Sequence, residues 1–225
     1  MMNLFTSTVG RKILMAVTGL LLIAFVTVHL IGNLSVFAGP DSLNAYAKAL
    51  HDLGPLVWLF RLGMLALFAI HITFGIQLYM ENKAATPDPY AIQKTLVTTF
   101  SAKTMIFTGL MILAFLLYHL LHFTVQVTNP EISAVRLPLD AAARPDVYSM
   151  VVLSFQKVFI SLIYIVAMVA LLLHLAHGIS SWVQTLGWST GPSQDKVISI
   201  GKVVAIVYGL AYIAIPLLIL ARIVK

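Results

Sequence analysis

Five long apolar runs separated by short polar stretches set the pattern of the chain. They cover roughly residues 12–37, 56–80, 104–127, 155–183 and 198–223. Each can form a helix of about 20 residues or more, the length that crosses about 30 Å of hydrocarbon. Gly39-Pro40-Asp41 ends the first run. Residues 42–53 then place Leu43, Tyr46, Ala47, Leu50 and Leu53 at helical spacing, which predicts a short helix lying on the membrane surface and broken by Gly54-Pro55. The polar stretch ENKAATPDPYAIQK separates the second run from the third. A longer loop from Thr128 to about Ser149, with Pro130, Pro138 and Pro145, separates the third from the fourth, and LGWSTGPSQDK precedes the fifth. Arg61, in the first turns of the second run, can snorkel to the interface. Trp182 and Trp188 mark an interface after the fourth run, and Pro216 predicts a kink in the fifth.

Four of the runs contain a deep histidine, and their contexts repeat. TGLLLIAFVTVHL (Thr18–Leu30) returns as TGLMILAFLLYHL (Thr108–Leu120), with Thr, Gly, Leu, Ala, Phe, His and Leu at matching places. His71 is followed four residues on by Gly75, and His174 by Gly178. Depth gives the same grouping. At about 1.5 Å per residue, His29 lies about 25 Å into its run, His71 and His119 about 23 Å into theirs, and His174 about 23 Å in when the hydrocarbon is counted from Phe159, just past Lys157. Successive spans alternate in direction, so His29 shares a layer with His119, and His71 shares the opposite layer with His174, about 15 Å away. An ionisable group at such depth is a functional-site hypothesis in its own right. Two imidazoles from two helices at one depth, in apolar surroundings, suit axial ligation of a b-type haem. Gly32, Gly75 and Gly178, close after a ligand, leave room for a flat macrocycle. The spans hold no carboxylates beside the histidines, which disfavours a metal transporter or a proton relay.

Composition sharpens this picture. Of 225 residues 60% are hydrophobic and only 10% charged, against about 25% charged in ordinary globular chains. So short a chain cannot enclose that much apolar surface in a soluble core. Arg11 and Lys12 precede a first run too long for a signal-peptide core, so it is expected to remain as a span. The absence of cysteine excludes disulfides, thiolate-held iron–sulfur clusters and c-type haem attachment. The net charge of +6 is spread between loops and forms no basic stripe suited to nucleic acid. Basic residues divide evenly between the two sides, and only the Arg11-Lys12 pair favours an inside N-terminus. His122 and His177 follow His119 and His174 by three residues and share their faces. By spacing alone either member of each couple can be the ligand, and the echoes favour His119 and His174. His51-Asp52, at the end of the surface helix, and His122 are candidates for contact with a quinone head group.

With these motifs in place, the chain resembles the five-helix, di-haem cytochrome b membrane anchor of succinate dehydrogenases and fumarate reductases. GRKILMAVTGLLLIAFVTVHLIGN, LFAIHITFGI, FTGLMILAFLLYH and YIVAMVALLLHLAHGISSWVQTLGWSTGPSQ carry the resemblance, one segment to each of the first four spans. It implies an all-α membrane protein, a single transmembrane domain over residues 1–225 holding two b haems, with His29, His71, His119 and His174 as axial ligands. It further implies a bacterial cytoplasmic membrane with the N-terminus inside. There His71/His174 is the proximal pair, near an iron–sulfur subunit that works with a flavoprotein carrying FAD, and His29/His119 is the distal pair. Electrons would pass between succinate or fumarate and a membrane quinone, usually menaquinone. The competing reading is a haem-free transporter or structural membrane protein that uses the histidines as polar contacts between helices.

Overall fold

The structure is a computed structural model that describes residues 4–85, 98–189 and 191–225. All its regular elements are helical. α1 (Thr8–Leu34) begins at Ser7, whose Oγ accepts from the Gly10 amide at 3.0 Å, and runs on as a 3-10 turn through Ala38. Gly39, at φ 94°, turns the chain into α2 (Pro40–His51). Gly54, at φ 55°, turns it into α3 (Pro55–Ala84). Both turns need a left-handed backbone that residues with a Cβ rarely adopt. The polar stretch expected between the second and third spans lies mostly outside the described residues. A single turn, α4 (Phe100–Lys103), is followed by α5 (Met105–His119), which widens into a π-helical turn over Leu120–Thr124, where the Val125 amide reaches back five residues to the Leu120 carbonyl at 2.8 Å. α6 (Val147–Phe155), α7 (Val158–Thr185) and α8 (Gly191–Leu220) complete the chain.

Among the described residues five helices are long and apolar enough to cross a membrane: α1, α3, α5 with its π turn, α7 and α8. Four of them form a ring. α1 packs on α3 and α7, and α5 packs on α7 and α3, so α1 faces α5 across the centre and α3 faces α7. α8 lies outside the ring along α7, the most extensive helix pairing in the molecule, and also touches α1. Small residues permit this approach. Ala205 is fully buried, Gly201 meets the backbone of Ala176 and Ser180, and a Cβ on Gly209 would lie 2.5 Å from Leu172 Cδ1. α3 is the outermost ring member. Trp58, Leu59, Phe60, Leu62 and Leu65 on it are exposed, an apolar surface suited to lipid. Arg61 lies over the Trp58 ring, 5.0 Å from its centre.

The outer ends differ from the expected pattern in three respects. α6 is a separate nine-residue helix across the end of the expected loop and the unassigned residues before the expected fourth span, and the Asp146 side chain caps it by accepting from the Ser149 amide at 3.0 Å. α7 therefore starts at Val158, not at Phe155. On α2, Leu43 and Asn44 are buried, whereas Leu50 and Leu53 of the expected apolar face are exposed. Gly32 does not face an open slot: the ring of Tyr46, from α2, occupies the space that its Cβ would need.

α2, α6 and the loop before α6 form a polar cap on this end of the bundle. Asn44, 1% exposed, donates to Asp140 and Asp146 and accepts from the Tyr148 amide at 2.8 Å. Arg144 bridges Asp140 and Asp41, at 2.8 and 2.7 Å. The Tyr148 hydroxyl donates to the carbonyl of Lys225 at 2.7 Å, tying down the chain end. Burial pushes the Asp140 carboxyl up, but hydrogen bonds from Arg144, Asn44 and the Ala142 amide outweigh it and pull the group from 3.8 to about 2. A depressed carboxyl stabilises the fold above its ordinary pKa and ceases to do so as pH falls through its folded value. The cap should therefore hold unchanged from neutral pH to about pH 4 and loosen between about pH 4 and 2. Hydrogen-exchange protection at the Ala142 amide, corrected for the intrinsic exchange rate, measures this, and Asp140→Asn should remove the acid-induced loss of protection there.

Candidate functional site

The ring of helices brings the four deep histidines together across its two diagonals. His29 on α1 meets His119 on α5 with ring centres 5.8 Å apart and planes at 90°. His71 on α3 meets His174 on α7 at 6.4 Å and 70°. Two imidazoles that hold one metal from opposite sides through nitrogens at about 2 Å have ring centres about 6 Å apart, so both pairs have the spacing of axial ligands to a shared iron. Among the described residues no group of three or more His, Cys, Asp or Glu side chains is placed to hold a metal ion. An iron held in a macrocycle needs only two protein ligands, whereas a bare ion would need more. The donor set therefore fits haem.

The two pairs are held differently. At the His71/His174 pair, each ring nitrogen Nδ1 contacts a threonine on a neighbouring helix: His71 reaches Thr18 Oγ1 at 3.2 Å and His174 reaches Thr108 Oγ1 at 3.3 Å. Each threonine hydroxyl donates its own proton to its helix backbone, Thr18 to Leu14 at 2.7 Å and Thr108 to Met105 at 3.0 Å. The next residue in each case, Gly19 or Gly109, leaves room for the ring: a Cβ there would stand 3.3 Å from His71 Cε1 or 3.4 Å from His174 Cε1.

At the His29/His119 pair the surroundings are aromatic. Phe25 stacks on His29 with ring centres 5.5 Å apart, and Tyr212 of α8 lies 6.4 Å away. His119 Nδ1 is 3.3 Å from the Tyr164 hydroxyl, and His122 Nδ1 is 2.9 Å from the same oxygen. His122 Nε2 lies 3.2 Å from Ser154 Oγ, and the His122 ring stacks on Phe123 at 4.1 Å. Tyr164 has one proton, so it can donate to at most one of the two imidazoles, and at least one of them must donate to it. The assignment that frees His119 Nε2 has His119 donating to Tyr164, Tyr164 donating to His122, and His122 donating to Ser154. His122 is 3% exposed, and the π turn carries it, directly after the last α-helical residue, His119.

The other candidates fall elsewhere. His51 and Asp52 are exposed at the end of α2, and Asp52 pairs with Lys48 one turn back at 2.7 Å. No described hydrogen bond, ion pair or ring contact joins either to His122, so the structure does not gather these three residues into one site. His177 is half-buried and its carbonyl accepts from Ser180 at 3.0 Å. A Cβ on Gly75 would touch only Met15, and one on Gly178 would have nothing within 4 Å. Sequence reasoning missed Thr18, Thr108 and Tyr164. The two threonines head the repeated segment and were visible as part of the echo. Tyr164 had no such signal.

No family model matches the chain, and neither curated proteins nor solved structures give a match.

Replacing Tyr164 by Phe should leave buried imidazole nitrogens unpaired and destabilise the fold by about 1–3 kcal/mol. Thermal unfolding of the Tyr164→Phe variant in detergent measures this, and an unchanged midpoint would show that the hydroxyl contributes no net stability.

Proposed function

We propose that this chain is a di-haem cytochrome b membrane anchor that passes electrons between an iron–sulfur subunit and a membrane quinone, as in succinate:quinone oxidoreductases. One observation carries the reading: two histidine pairs at ring separations suited to a shared iron, set on the two diagonals of one helix ring. A haem b, when bound, supplies reversible one-electron chemistry at an iron tuned by its axial ligands and surroundings. The chain's own residues supply the rest. His29 with His119, and His71 with His174, would hold the two irons. Thr18, Thr108 and Tyr164 orient the rings, and the apolar helices exclude water.

In this reading the partners are a flavoprotein and the iron–sulfur subunit at the His71/His174 end, in a bacterial cytoplasmic membrane with the N-terminus inside. The quinone, menaquinone in this proposal, belongs to the opposite end. There the buried His122 and its link through Tyr164 to His119 favour it over exposed His51 and Asp52 as the polar group nearest the pair. A second reading, a haem-free membrane protein, draws on the same bonds: Tyr164 and Ser154 satisfy His122 without any cofactor.

Haem content decides between them. The purified chain should carry two b haems by pyridine haemochrome assay, and a colourless preparation from haem-replete cells would overturn the proposal. His29→Ala and His119→Ala should remove the same spectral species, and His71→Ala and His174→Ala the other, while His177→Ala keeps both.

A further inference from the structure

We infer that Thr18 and Thr108 are positioning residues for His71 and His174, the histidines of the neighbouring helices, and not for the histidines of their own helices. The inference rests on the di-haem reading and adds the residues that hold one of its two pairs. Each threonine hydroxyl has a backbone carbonyl to donate to, and in the proposed arrangement its oxygen accepts from the imidazole. His71 and His174 then carry their proton on Nδ1. That leaves the Nε2 lone pair bare, the state that an axial ligand needs. Both rings also engage the backbone at Met15 or Met105, each three residues before the threonine. Gly19 and Gly109 complete the two seats, since a Cβ would crowd the ring edge.

The two seats are equivalent under an exchange of α1 with α5 and of α3 with α7. The repeated segment therefore has a double task. Its first two residues seat a histidine on the adjacent helix, and its own histidine, eleven positions after the threonine, joins a different pair across the ring. The His29/His119 pair has no such symmetry, because Tyr164 contacts His119 and His122 while, among the described residues, no hydroxyl contact to the His29 ring matches it. A hydrogen bond to the outer nitrogen of a ligating histidine fixes its tautomer and raises its basicity, and loss of such a partner costs about 10- to 100-fold in metal affinity.

The test uses the full chain in its haem-loaded form, with Thr18→Val and Thr108→Val, which keep the shape and remove the hydroxyl, and Thr18→Ser and Thr108→Ser, which keep the hydroxyl. Haem retention against an apo-protein acceptor, the midpoint potential and the low-spin EPR signal are read for each haem separately. The valine variants should weaken retention of the haem that His71→Ala removes by about 10-fold or more and raise its potential, with the other haem unchanged. The serine variants should behave as wild type. An effect on the haem that His29→Ala removes, or serine variants as impaired as the valine ones, would overturn the inference. So would wild-type retention in both valine variants, and the di-haem reading would then survive; wild-type chain without haem would end both. Should the valine variants not fold, 15N NMR of histidine-labelled wild-type chain decides, since His71 and His174 must be protonated at Nδ1.

Discussion

A histidine ring inside hydrocarbon has two nitrogens to satisfy and no water to satisfy them, and much of this molecule is arranged around that constraint. Each unpaired buried group would cost about 1–3 kcal/mol. The fold meets the cost at the outer nitrogens with side chains that can do little else: threonines whose own proton is already committed, and a tyrosine shared between two imidazoles. With the protons placed as proposed, what is left over at His71, His174 and His119 is a lone pair directed away from these partners, and in the di-haem reading that lone pair would be the one to take the iron.

The helix ring follows from the same demand. Facing histidines can approach only if the helices between them leave the centre open, so the ring packs through its neighbours, not across its diagonals. Its cohesion comes from elsewhere. α8 presses small residues against α7 from outside, and the polar cap of Asn44, Asp140 and Arg144 ties the helix ends together. α3 packs mainly on α1 and has the smallest buried share of the five spans.

Much of this was legible in the residues, and what was not has identifiable causes. The number of spans follows from apolar runs that local composition alone defines, and the grouping of His29 with His119 and of His71 with His174 follows from depth and from the echo. The ends of elements were less legible because their causes are side-chain contacts. Asp146 caps α6, and the π turn after His119 leaves the apolar pattern unbroken. Gly32 was misread for a related reason: its spacing from His29 suggested a slot, but the residue that fills the slot comes from another helix. Thr18 and Thr108 were plainly repeated, yet no spacing rule says that a threonine on one helix holds a ring on the next.

The diagonal arrangement also bears on how such a chain is made. Neither histidine pair lies within one hairpin. Each takes one partner from the half containing α1 and α3 and one from the half containing α5 and α7. As synthesis proceeds, the first two spans enter the membrane with both of their imidazoles unmatched; the His29/His119 pair is complete only with α5, and the His71/His174 pair only with α7. A ligand held within either pair would therefore bridge the two halves and lock them to each other. In the di-haem reading, cofactor loading and the docking of the halves would be coupled in biogenesis.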